Sequence, residues 1–142
     1  MRPSRLYRVA AVLLLLFAVA HTLGFSQSDP SWNVGLLVRL MKSTHFPVLG
    51  FQRTYWDFFL AAGYSAGALY LFSALLAWQL GSCPAGVLAK LGLVRGAFAA
   101  CFAVVAVVSW RYLFVVPIAF STAIAACLAA AAAEKSRTER FD

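Results

Sequence analysis

The chain has 142 residues, 63% of them apolar and 12% charged, where a soluble domain is roughly half apolar and about one quarter charged. That excess calls for a solvent other than water, and at about 20 residues per membrane crossing four spans use most of the chain and exclude a separate soluble domain. The net charge of +7 does not indicate a nucleic-acid partner, because the basic residues lie at the ends of apolar runs and are not gathered on one surface.

The first charge-free run is Val9 to Ser28, between Arg8 and Asp29. Arg2, Arg5 and Arg8 ahead of it, with Ala18-Val19-Ala20 within it, also match a secretory signal with its small-residue cleavage site. Continuation of the apolar run through Leu23 and Phe25 favours an uncleaved first span, and keeping it completes an even-numbered topology.

Residues 29–53 form the one sizeable loop. Asp29-Pro30 is a helix-start signal, a capping carboxylate followed by proline at the first helical position. Behind it Val34, Leu37, Val38 and Met41 share one helical face, and Gly35, Arg39 and Lys42 share the other. This pattern predicts a short helix lying on the membrane surface. Pro47 and Gly50 break the chain before the second span.

Thr54-Tyr55-Trp56-Asp57 resembles a capping box ahead of the second span, 57–80. Within that span Gly63 and Gly67 are spaced for close approach of another helix. Gly81 to Lys90 reads as a turn. The third span is 91–109, with Gly92, Gly96 and Ala100 at the same small-residue spacing and Arg95 near enough to its end to snorkel to the interface. The fourth span is 113–133, with Pro117 in its first turns and Ala119, Ala123, Cys127 and Ala131 as a close-packing stripe. A polar tail, 134–142, follows. The expected fold is all-α: one membrane domain over 1–142, a four-transmembrane-helix bundle with a short interfacial helix in its first outer loop.

Charge sets the expected orientation. With the N-terminus inside, the inner side carries Arg2, Arg5, Arg8, Lys90, Arg95, Lys135, Arg137 and Arg140, and the outer side only Arg39, Lys42, Arg53 and Arg111. The excess predicts cytoplasmic N- and C-termini.

In that topology His21, Arg53, Tyr55, Asp57, Arg111 and Tyr112 fall at the outer end of the bundle. These six are the candidate functional cluster, since ionisable groups near a bundle interior are functional candidates. Structural readings stand beside that one: Asp57 capping its helix, Arg53 and Arg111 anchoring to lipid phosphates, His21 bonding a neighbouring helix, or Asp57 paired with Arg53 or Arg111. Pairing is the reading favoured for the group.

His21 and His45 have no spacing or companion ligands that fit a metal or haem. Cys83, Cys101 and Cys127 contain no C-x-x-C pair and read as small buried apolar residues. No phosphate-cradling loop, nucleophile elbow or H-E-x-x-H is present. The sequence therefore calls for no cofactor and no metal.

Three stretches, His21-Thr22-Leu23-Gly24, Met41 to Asp57 (MKSTHFPVLGFQRTYWD) and Ser109 to Pro117 (SWRYLFVVP), resemble a family of small bacterial four-helix integral membrane proteins to which no activity is assigned. The Arg53-Thr54-Tyr55-Trp56-Asp57 run is the most specific piece. The resemblance implies the four-span topology and a bacterial inner-membrane location. Positions 45, 51 and 52 vary within that family, which argues against a role for His45.

The expected function is a non-enzymatic membrane protein that binds lipids, a larger membrane partner or a second copy of itself, with no nucleic acid. The alternative is a membrane-embedded enzyme using His21 and Asp57 on a lipid, isoprenoid or quinone-like substrate.

Overall fold

Four long helices carry the apolar runs. The computed structural model describes residues 3–138. In it α1 spans Pro3–Gly24, α3 Tyr55–Ser82, α5 Gly92–Tyr112 and α6 Val115–Thr138. All four are long and apolar enough to cross a membrane, and the chain is an all-α, multi-pass membrane protein. The helices overrun the charge-free runs because residues such as Arg5, Arg8, Glu134 and Lys135 are good helix formers. The fourth span was expected to end at 133 with a polar tail after it, and α6 continues into that tail as far as Thr138; residues 139–142 lie outside those described. Gly81 to Lys90 also contains a short helix, α4 (Ala85–Lys90), where a turn was expected.

The segment between α1 and α3 differs most from expectation. Asp29 caps a single 3-10 turn, Pro30–Trp32, rather than the interfacial helix itself. Its Oδ1 accepts from the Ser31 N–H at 2.7 Å, and hydrogen bonding with Ser31 holds its carboxyl below the usual carboxylate range. Asn33, at φ 53°, ends the turn. The helix α2 follows, Gly35–Ser43. Val34, Val38 and Met41 are half-buried, whereas Leu37, assigned to their face, is 57% exposed together with Leu36 and Leu40.

Pro47 and Gly50 do not simply break the chain. They belong to an antiparallel hairpin, β1 (His45–Val48) and β2 (Phe51–Thr54), with Val48 opposite Phe51. Leu49 (φ 47°) and Gly50 (φ 88°) are its two loop residues, and positive φ at both is the type I′ geometry that matches strand twist. Gly50 adopts this without strain; Leu49 is a bulky residue in a region such residues avoid.

The chain packs as two compact units, one formed by the chain up to Phe17 with the chain from Tyr70 onward, the other by Ala18–Leu69. In the first, Tyr7, Ala10 and Leu14 of α1 meet Ala74, Ala77 and Leu80 of α3, Phe98 and Phe102 of α5, and Ile124, Leu128 and Ala131 of α6. The α6 residues recur at helical spacing from Pro117 through Ser121, so the buried face is not the expected small-residue stripe: Ala119 and Ala123 are exposed, Cys127 is half-buried and only Ala131 is buried. Gly81 is the close-approach glycine that the sequence did not single out: a Cβ there would stand 3.0 Å from Arg8 Cγ and 3.1 Å from the Ser4 carbonyl. Gly96, expected to pack, would place a Cβ in open space.

Arg95 does not snorkel. It is 2% exposed. Its Nε donates to the Tyr7 hydroxyl at 3.1 Å and its Nη2 to the carbonyls of Ala131 and Ala132, so a single guanidinium joins α1, α5 and α6.

In the second unit, the end of α1 lies against the first half of α3. Gly63 faces the Phe25 ring and Gly67 faces the Thr22 hydroxyl. Small residues at such a crossing let backbones approach where lipid offers no hydrophobic drive for helix association.

Candidate functional site

The Ala18–Leu69 unit holds four of the six candidate residues, and each of the four has a partner within that unit. Asp57 caps α3. Its Oδ2 accepts from the Thr54 N–H at 2.8 Å, while Thr54 Oγ1 accepts from the Asp57 N–H at 3.2 Å. This reciprocal pair is a capping box, which satisfies two backbone donors that a helix start leaves open. Asp57 therefore makes a cap, and the charge of Arg53, its partner in the favoured pairing, is the smaller influence on its carboxylate.

His21 bonds across the helix crossing. Its Nε2 lies 3.0 Å from the Gly63 carbonyl; a carbonyl only accepts, so Nε2 carries the proton. The imidazole is stacked on Phe25, centroids 5.3 Å apart. Tyr55 is 62% exposed, with its ring against Phe46 at 4.8 Å. Phe46 also stacks on Phe58, so a strand residue fastens the hairpin to the first turn of α3.

Arg53 donates from Nη1 to the Gln52 carbonyl at 3.0 Å, and its guanidinium lies over the Phe51 ring at 5.1 Å. With Asp57 it lines an open groove of about 300 Å³, walled otherwise by Val48, Leu49, Phe51, Phe58 and Ala61. Arg53 and Asp57 are thus brought to one concavity; His21 is not among its lining residues. The other two candidates belong to the other unit: Arg111 lies over its neighbour Tyr112, 5.1 Å from the ring centroid, at the end of α5.

The sequence missed the partners that define this surface. Lys42 lies over the Trp56 ring at 4.4 Å, and Trp56 packs on Phe59. Between residues 32 and 51, Trp32, Leu36, Leu37, Leu40, Leu49 and Phe51 are all more than half exposed. The only advance signal was the basic and apolar mixture of residues 32–53. Among the described residues, no three His, Cys, Asp or Glu side chains come together as a metal site. Compared with known protein families, curated proteins and solved structures, the chain matches none.

Proposed function

We propose that this is a non-enzymatic protein of a bacterial inner membrane that binds phospholipid at the membrane surface through α2 and the hairpin. One observation carries the reading: within a single short segment, Leu36, Leu37, Leu40, Leu49 and Phe51 are exposed beside the basic residues Arg39, Lys42 and Arg53. Apolar side chains that enter the acyl boundary, with cations level with the phosphates, are what an interfacial element needs. Leu49 fits the role best, since it is 96% exposed in a backbone conformation that a leucine does not favour. Catalysis has less support, because His21 Nε2 and Asp57 Oδ2 each engage a backbone group.

The test is depth. Nitroxides attached at positions 37, 40 and 49, in a background without Cys83, Cys101 and Cys127, should collide with oxygen and be shielded from water-soluble nickel in bilayers. Labels open to the nickel reagent would reject the lipid-surface reading. The same proposal places α2 outside and both termini in the cytoplasm, on the charge asymmetry. A reporter after Asp142 should read cytoplasmic and one near Ser43 external; a periplasmic C-terminus would overturn the orientation.

A further inference from the structure

The groove on the hairpin is lined by two chemically different kinds of residue. Arg53 and Asp57 come from the start of α3 and the strand before it. Phe58 and Ala61 continue down α3, with Ala61 one turn, about 6 Å, beyond Asp57 on the same face. The remaining wall is apolar, from Val48, Leu49 and Phe51. A ligand matching this shape has a charged head and a hydrocarbon tail that runs along a membrane-spanning helix.

The two charges narrow the head further. The Arg53 guanidinium is held in place by the Gln52 carbonyl and the Phe51 ring, which leaves other N–H donors of its fork for a phosphate. Asp57 Oδ2 accepts from the Thr54 amide and the Thr54 side chain also bonds the carboxylate; with about four lone-pair sites, a carboxylate keeps acceptor capacity beyond these. A headgroup with only negative charge would meet repulsion from Asp57. A quaternary ammonium has no N–H to donate to it. A primary ammonium next to a phosphate satisfies both residues at once.

We infer that the groove binds a phospholipid whose headgroup joins a phosphate to a primary ammonium, with the phosphate on Arg53, the ammonium on Asp57 and an acyl chain along Phe58 and Ala61. The inference rests on the lipid-binding reading above and deepens it.

Native mass spectrometry of the full chain, released from bilayers of phosphatidylethanolamine, its mono- and dimethyl forms, phosphatidylcholine and phosphatidylglycerol with matched chains, tests it. Retention should fall along the methylation series. The ethanolamine lipid should exceed both phosphatidylcholine and phosphatidylglycerol about tenfold, the scale of one hydrogen bond to a charged group. Arg53→Gln should abolish the preference. Asp57→Asn should equalise ethanolamine and glycerol lipids; because that change also alters the α3 cap, the methylation series on the unmodified protein is the decisive arm. Equal retention of all headgroups, or a preference for phosphatidylglycerol, would overturn the inference. Either result would leave the nitroxide depths unchanged, so its failure is distinguishable from failure of the lipid-surface reading.

Discussion

Tyr7→Phe should destabilise the protein by about 1–3 kcal/mol, the cost of leaving a buried donor unsatisfied, and the double variant Tyr7→Phe/Arg95→Met should be the more stable of the two. Tyr7 is fully buried, and its hydroxyl is the acceptor for Arg95 Nε. Removing the hydroxyl strands a charged donor among apolar side chains. Removing the guanidinium as well leaves only the carbonyls of Ala131 and Ala132, which lie within α6 and have the ordinary helical N–H partners. Replacing a buried charge with an apolar side chain of similar length is often neutral or better, whereas removing one partner is not. Reversible unfolding in mixed detergent micelles reads the difference. A Tyr7→Phe cost of no more than about 0.5 kcal/mol, the scale of a surface substitution, would mean that Arg95 reaches polar surroundings after all.

That residue also marks where sequence reading runs out. An arginine four residues into an apolar helix can turn outward to the headgroups or inward to a partner. The partner here is 88 residues away, so nothing local distinguishes the two. The apolar runs were legible because their cause is local: each is a stretch too apolar for water. The same holds for the capping box, whose partners Thr54 and Asp57 are three residues apart. Its energetic consequence was read less well. Once Asp57 accepts from the Thr54 amide, an arginine partner is no longer needed to make its carboxylate tolerable beside the membrane.

The hairpin was hidden for another reason. His45–Val48 alternates exposed and half-buried positions over only four residues, and Phe51–Thr54 does not alternate at all; so short a pattern is weak, and proline and glycine in the same run suggest irregular chain. Two isolated strands are marginal on their own. These are held by Phe46 on Tyr55 and Phe58, contacts that exist only once α3 has formed. The glycines divide the same way. Spacing alone ranked Gly63, Gly67 and Gly96 together, yet only the first two have a neighbour at close range.

Gly63→Ala should therefore be strongly destabilising where Gly96→Ala is not. A Cβ at position 63 would lie 2.1 Å from Phe25 Cε2 and 2.3 Å from Cδ2, well inside contact distance. The ring has little freedom to retreat, since it stacks on His21, meets Tyr64 edge-on at 5.1 Å and rests against Phe59. If α1 and α3 part instead, the His21 bond to the Gly63 carbonyl lengthens with them, and lipid supplies no hydrophobic force to close the gap. Overpacking of this kind costs about 1–3 kcal/mol. At position 96 the new methyl group meets nothing within 4 Å, so Gly96→Ala should leave stability unchanged. Phe25→Ala should cost less in the Gly63→Ala background than in the wild type, because the clash lies between those two side chains. The measurement is the folded fraction of each variant against denaturant in one detergent. Wild-type stability of Gly63→Ala, or strictly additive costs in the double variant, would show that Phe25 does not pack on this glycine and that the α1–α3 crossing is set elsewhere.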